Sequence, residues 1–96
     1  MERRGGVEKT EIPLTALRNG EAGILTSIKA GHGGGHGRGW GFEKRLMDMG
    51  LTPGTEVVMV KSAPFHGPLE VSVRGSRLVL GRGMAERIFV VRKKGA

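Results

Sequence analysis

Cysteine and tyrosine are both missing from this chain, and only 4% of its residues are aromatic. Without cysteine there is no disulfide, no zinc ribbon and no thiolate chemistry, a composition that fits a reducing cytoplasm. Long apolar runs are missing too. None exceeds five residues, whereas a helix needs about 20 to span a bilayer. Met1–Gly6 leads into no apolar stretch, so the expectation is a soluble chain with no signal peptide. With 96 residues there is room for one small domain. A domain of that size buries about 60–65% of its unfolded surface, enough for one modest core and no deep catalytic cleft.

Positive charge is abundant, and its placement limits what it can mean. The formal net charge is +7, yet residues 11–91 hold ten basic against seven acidic side chains, a net of +3. More than half of the excess therefore sits near the ends, where chains tend to fray. The folded part is mildly basic, a weak argument for a phosphate-binding face.

The most informative wording runs from Arg45 to Val57. Phe42, Leu46 and Met49 share one helical face by their spacing. Gly50 is placed to stop the helix, and Pro53-Gly54 fits the two inner positions of a type II turn before a strand. No nucleophile, base or ligand set stands out there. The best-defined motif is architectural, which favours a binding or regulatory module over an enzyme.

Around it the chain reads as mainly β. Residues 1–11 are polar and contain two glycines, so they read as a flexible arm, and 93–96 as a basic tail. Ile24–Lys29, Val57–Ser62, Leu69–Arg74, Arg77–Leu80 and Ile88–Val91 each show strand spacing. A helix is expected from about Gly41 to Met49, and a hairpin turn at Gly75-Ser76. The expected core includes Leu17, Ile28, Leu46, Val58, Val60, Val71, Val73, Leu78, Leu80 and Ile88. About five short strands with one helix inserted after the first point to a small barrel over residues 12–92.

Residues 31–41 hold seven glycines and two histidines, a composition that predicts a flexible loop. His32 and His36, with His66 from a later turn, are the candidate ligands for weak binding of iron, zinc or nickel. Two imidazoles alone are too few for a closed tetrahedral site. The loop has neither a G-x-G-x-x-G run nor a G-K-[ST] ending, so it is no nucleotide cradle.

The ordered set Pro13-Leu14, Leu17, Gly20, Leu46-Met47-Asp48-Met49-Gly50-Leu51, Pro53-Gly54, Ala63-Pro64, Pro68-Leu69, Val73-Arg74-Gly75, Leu78, Leu80, Ala85 and Ile88 resembles the FeoA family. That resemblance implies an SH3-like barrel and a cytoplasmic, non-enzymatic accessory protein of bacterial ferrous-iron uptake with no required cofactor. It also implies a partner, the cytoplasmic GTP-binding part of a FeoB-type membrane transporter. No direct membrane insertion of this chain is expected, and a weak homo-oligomer is left open. The glycine-histidine run departs from the family pattern, in which that loop is short. Trp40, Met47 and Met49 are the candidate partner contacts. The rival readings are a small basic nucleic-acid-binding barrel, disfavoured by the scarcity of aromatics, and a metal-binding protein using the Gly/His loop.

Overall fold

The computed structural model describes residues 6–29 and 38–94, with side chains described for all of these except 38–42. Six strands form one antiparallel sheet in the order β1-β6-β2-β3-β4-β5. They are β1 (Val7–Pro13), β2 (Ala22–Ile28), β3 (Glu56–Ser62), β4 (Leu69–Val73), β5 (Ser76–Leu80) and β6 (Ile88–Lys93). A 3₁₀ turn at Leu14–Ala16 follows β1. Helix α1 (Arg38–Asp48) lies between β2 and β3, and the short α2 (Arg82–Ala85) lies between β5 and β6.

Residues 7–11 correct the reading of a flexible arm. They belong to β1, which pairs with β6 from Val7↔Lys93 to Pro13↔Phe89. Beyond that pairing, the Lys94 N–H donates to Gly6 O at 2.8 Å. The expected basic tail likewise enters the sheet, through Lys93. β1 escaped the sequence reading because Val7-Glu8-Lys9-Thr10-Glu11 is nearly all polar. An edge strand exposed along most of its length has no apolar alternation to show.

Bulges curl the sheet around its core. In β2, Leu25 faces Val90 and Ser27 faces Phe89, which leaves Thr26 as the extra residue. That step lets Leu25 and Ile28 serve the same side, with Leu25 buried and Ile28 packed against the core. A second irregularity falls at Val60, between the Met59↔Val71 and Lys61↔Glu70 pairs. The buried face of β3 is Val57 and Met59, so the expectation of Val58 and Val60 as core is corrected: both are half-buried. With apolar residues on both faces, β3 gave no pattern from which to tell inner from outer. Leu14, Leu17, Leu46, Leu51, Val71, Val73, Leu80, Ile88 and Val90 complete most of the core, and Leu78 packs beside it.

The helix stop and turn are built as their residues dictate. Gly50 (φ 96°) closes α1, with Gly50 N–H bonded to Met47 O at 2.9 Å and Leu51 N–H to Leu46 O at 3.0 Å. This crossed pair satisfies carbonyls that the helix end would otherwise leave open. Thr55 N–H then bonds to Thr52 O at 3.1 Å across Pro53 and Gly54 (φ 91°), the expected type II pattern. Two boundaries move. The helix starts at Arg38, earlier than Gly41. The hairpin turns at Arg74-Gly75 (φ 53° and 86°), so it is type I′ rather than a Gly75-Ser76 turn of type II′.

Candidate functional site

The turn at Pro53 brings the end of α1 against the bulged end of β2. Between them lies a shallow groove of about 250 Å³ lined by Thr26, Ser27, Ile28, Glu43, Met47 and Pro53. Leu46 is fully buried and anchors α1 to the core, while Met47 (42% exposed) remains on its open side and Met49 (37% exposed) lies just past its end. Met47 is therefore a flexible, polarisable side chain at the wall of a small groove, the kind of surface that adapts to an apolar partner. Glu43 adds a carboxylate to the lining. Lys44 and Asp48 pair at 3.7 Å along the exposed face of α1.

The β2 wall is fixed from behind by Glu11. Its carboxylate accepts hydrogen bonds from the Thr26 hydroxyl and from Ser27 Oγ, the latter at 3.0 Å, and lies 3.7 Å from Lys29 Nζ. Those hydroxyl bonds, reinforced by the lysine charge, hold the Glu11 carboxyl below its ordinary 4.5. Lys29 in turn sits 4.6 Å above the centre of the Phe89 ring. β1, read from the sequence as outside the domain, thus orients two of the groove's six lining residues.

Of the residues singled out by sequence, Met47 lies on the groove and Met49 just past the end of α1. Trp40 lies in the first turn of α1, with its side chain outside the described part. His32 and His36 also lie outside the described residues. His66 is in the β3–β4 loop, at the opposite end of β3 from α1 and roughly 20 Å away at 3.3 Å per residue. Among the described residues no group of three or more His, Asp or Glu side chains could hold a metal ion. Thr26, Ser27, Ile28 and Pro53 were not among the expected contacts. The turn after α1 places Pro53, and the bulged end of β2 presents Thr26, Ser27 and Ile28; a bulge of this kind leaves no mark in residue type.

A sequence model of the FeoA domain matches residues 12–92. The chain belongs to the FeoA family. A protein of Methanocaldococcus jannaschii provisionally named Fe(2+) transport protein A is 32% identical over 78 residues, spanning 81% of this chain and 83% of that one. The solution structure of FeoA from Chlorobium tepidum superposes with a TM-score of 0.72 at 30% identity, over 88% of this chain and 73% of its own. FeoA of Stenotrophomonas maltophilia, solved as a zinc complex and described as a prokaryotic SH3 domain protein, gives a TM-score of 0.66 at 28% identity. That match covers 82% of this chain and 88% of the other. The expected SH3-like, mainly β class therefore holds, with six strands rather than about five. As a FeoA-family member the chain is an accessory protein of ferrous-iron transport. Among the described residues no helix is long and apolar enough to cross a membrane.

Proposed function

We propose that this chain is a non-enzymatic, cytoplasmic accessory protein that binds and modulates the cytoplasmic part of a FeoB-type transporter, using the groove between α1 and β2. The observation that carries this reading is Met47. It is exposed on a helix whose next-door residue, Leu46, is fully buried, and it forms the wall of a preformed groove. Family membership supplies the transport system, and the groove supplies a surface on which a partner's apolar side chain can be desolvated. Met49, just past the end of α1, and Trp40, in its first turn, are the further candidate contacts. Modulation then means that docking favours one conformation of the transporter's cytoplasmic part over another.

Calorimetric titration of the chain into the isolated GTP-binding part of its cognate transporter tests this. Met47→Asp should weaken binding at least tenfold, and Trp40→Ala by up to about thirtyfold, the worth of a central aromatic anchor. Circular dichroism should show both variants folded. Undiminished binding by the folded variants would remove the groove from the interface, and no binding by the parent chain would overturn the partner. Weak transition-metal binding through His32 and His36, without His66 at the far end of β3, is a subordinate proposal, motivated by the zinc complex of the S. maltophilia relative. Competition with a chelator should remove the metal without altering the fold.

A further inference from the structure

The loop joining β3 to β4 is built against the ordinary preferences of its residues. Gly67 N–H bonds to Pro64 O at 3.0 Å and closes a turn whose inner residues are Phe65 (φ 57°) and His66 (φ 60°). This is a type I′ turn, which normally takes Asn or Gly at both places, because a Cβ is crowded in the left-handed region. Other contacts enforce it. Ala63 N–H bonds to Pro68 O at 3.0 Å across the loop's base. A Cβ on Gly67 would come within 2.9 Å of the Ala63 Cβ. From α2, Arg82 grips the loop at three points: its Nε donates to Gly67 O, and its Nη2 donates to Ala63 O and Ser62 Oγ, each at 3.1 Å. What this scaffold presents is a phenylalanine that is 94% exposed. Folding gains nothing from such a side chain, whereas a rigid aromatic knob loses little entropy on docking.

A complementary hollow lies beside it. A groove of about 250 Å³ is lined by Lys61, Ala63, Pro68, Leu69, Glu70 and Val79. Val79, 68% exposed, belongs to β5, the last strand of the sheet. Among the described residues β5 makes backbone hydrogen bonds only to β4, so its outer edge is unpaired. Phe65, being almost fully exposed, does not fill this groove in its own molecule.

We infer that this face is where two copies of the chain associate, the Phe65 of each entering the groove of the other. A two-fold interface needs knob and hollow within one patch, and here they share the loop Ala63–Pro68. The charges fit a second copy as well. Lys61 and Glu70 line the groove, and Glu70 pairs with Arg77 at 3.0 Å. Such a mixed-sign patch complements itself when turned about a two-fold axis. An anionic lipid surface would call for basic residues alone. The patch is small, so the dimer is weak and reversible, with a dissociation constant of roughly 10 μM to 1 mM.

Sedimentation velocity on the full chain across a range of concentrations tests this. The parent should pass reversibly from monomer to dimer. Phe65→Asn keeps a residue suited to positive φ, so it should stay folded with an equal or higher thermal midpoint while associating at least tenfold more weakly. Val79→Lys, on the groove wall, should do the same without touching the turn. An equimolar mixture of the two variants retains one intact knob-in-groove contact, so it should associate more strongly than either alone. A parent chain that stays monomeric up to ~1 mM, a folded Phe65→Asn chain that dimerises like the parent, or a mixture no better than its components would each overturn the inference. Vesicles of phosphatidylglycerol and phosphatidylcholine supply a final arm. Sedimentation of a monomeric parent chain with them, abolished by Phe65→Asn, would assign the knob to a lipid surface instead.

Discussion

At the scale of single residues, alternation was readable wherever one face of a strand meets water. Leu69, Val71 and Val73 are buried between half-buried Glu70 and Ser72, as their spacing predicts. Val71→Ala removes two methyl groups from a fully buried site and should cost about 1–3 kcal/mol, read as a lower denaturant midpoint with an unchanged slope. A shift within error would mean that the core closes over the loss. What spacing could not show was Glu11, whose role comes from three partners on β2 and the residue after it. Its folded-state pKa is lowered by the Thr26 and Ser27 hydroxyls and by Lys29, so its contribution to stability is present above the ordinary value of 4.5 and fades as pH falls through the folded value. Glu21 behaves alike, its carboxyl held down first by the Arg18 N–H and then by Arg92. Thermal midpoints measured from neutral pH to below 4.5 should therefore fall less steeply for Glu11→Gln than for the parent. Identical acid limbs would show that Glu11 titrates alike in both states.

Among whole elements, the sequence was legible where a glycine or proline fixes a turn and opaque where tertiary contact makes the element. The end of α1 and the turn after it follow from Gly50, Pro53 and Gly54. β1 follows from nothing local, since β6 supplies its partners. Deleting residues 1–10 tests that dependence, because it removes the Gly6–Lys94 bond and the 3.5 Å pair between Glu8 and Arg92. Each kcal/mol lost should lower the thermal midpoint by about 4–8 °C in a domain of this size, and a clear drop is expected. A midpoint that does not move would restore the reading of a dispensable arm. The connection between β2 and α1 should respond in the opposite way. Replacing residues 31–37 by a short linker changes loop-closure entropy by only ~1 kcal/mol or less, so the midpoint should stay within a few degrees. A large loss would show that the segment is clamped in the fold.

For the whole molecule, the salt dependence of binding separates the transporter reading from the nucleic-acid reading. Lys29, Lys44, Arg77, Arg92 and Lys93 each stand within 4.0 Å of a carboxylate. These pairs lie on or beside β2, α1, β5 and β6; they join five cations to six carboxylates, so the +7 formal charge rests on the other basic side chains. The candidate contact is instead a methionine-walled groove. The two kinds of binding depend on salt differently. Phosphate contacts release counterions, and their affinity falls steeply as salt rises, whereas burial of apolar surface does not weaken and is screened little. Titrating the chain into a single-stranded oligonucleotide and into the transporter's GTP-binding part, each at low and at high salt, should give one steep and one nearly flat salt dependence. The oligonucleotide affinity should collapse from an already weak, roughly 10–100 μM starting point. The transporter affinity should change less than about threefold, and Met47→Asp should reduce it equally at both salt concentrations. A transporter affinity that collapses with salt while Met47→Asp has no effect would place the contact on charge rather than on the groove. An oligonucleotide affinity that survives high salt would mean that bases are being stacked or read, and the nucleic-acid reading would then displace the transporter one.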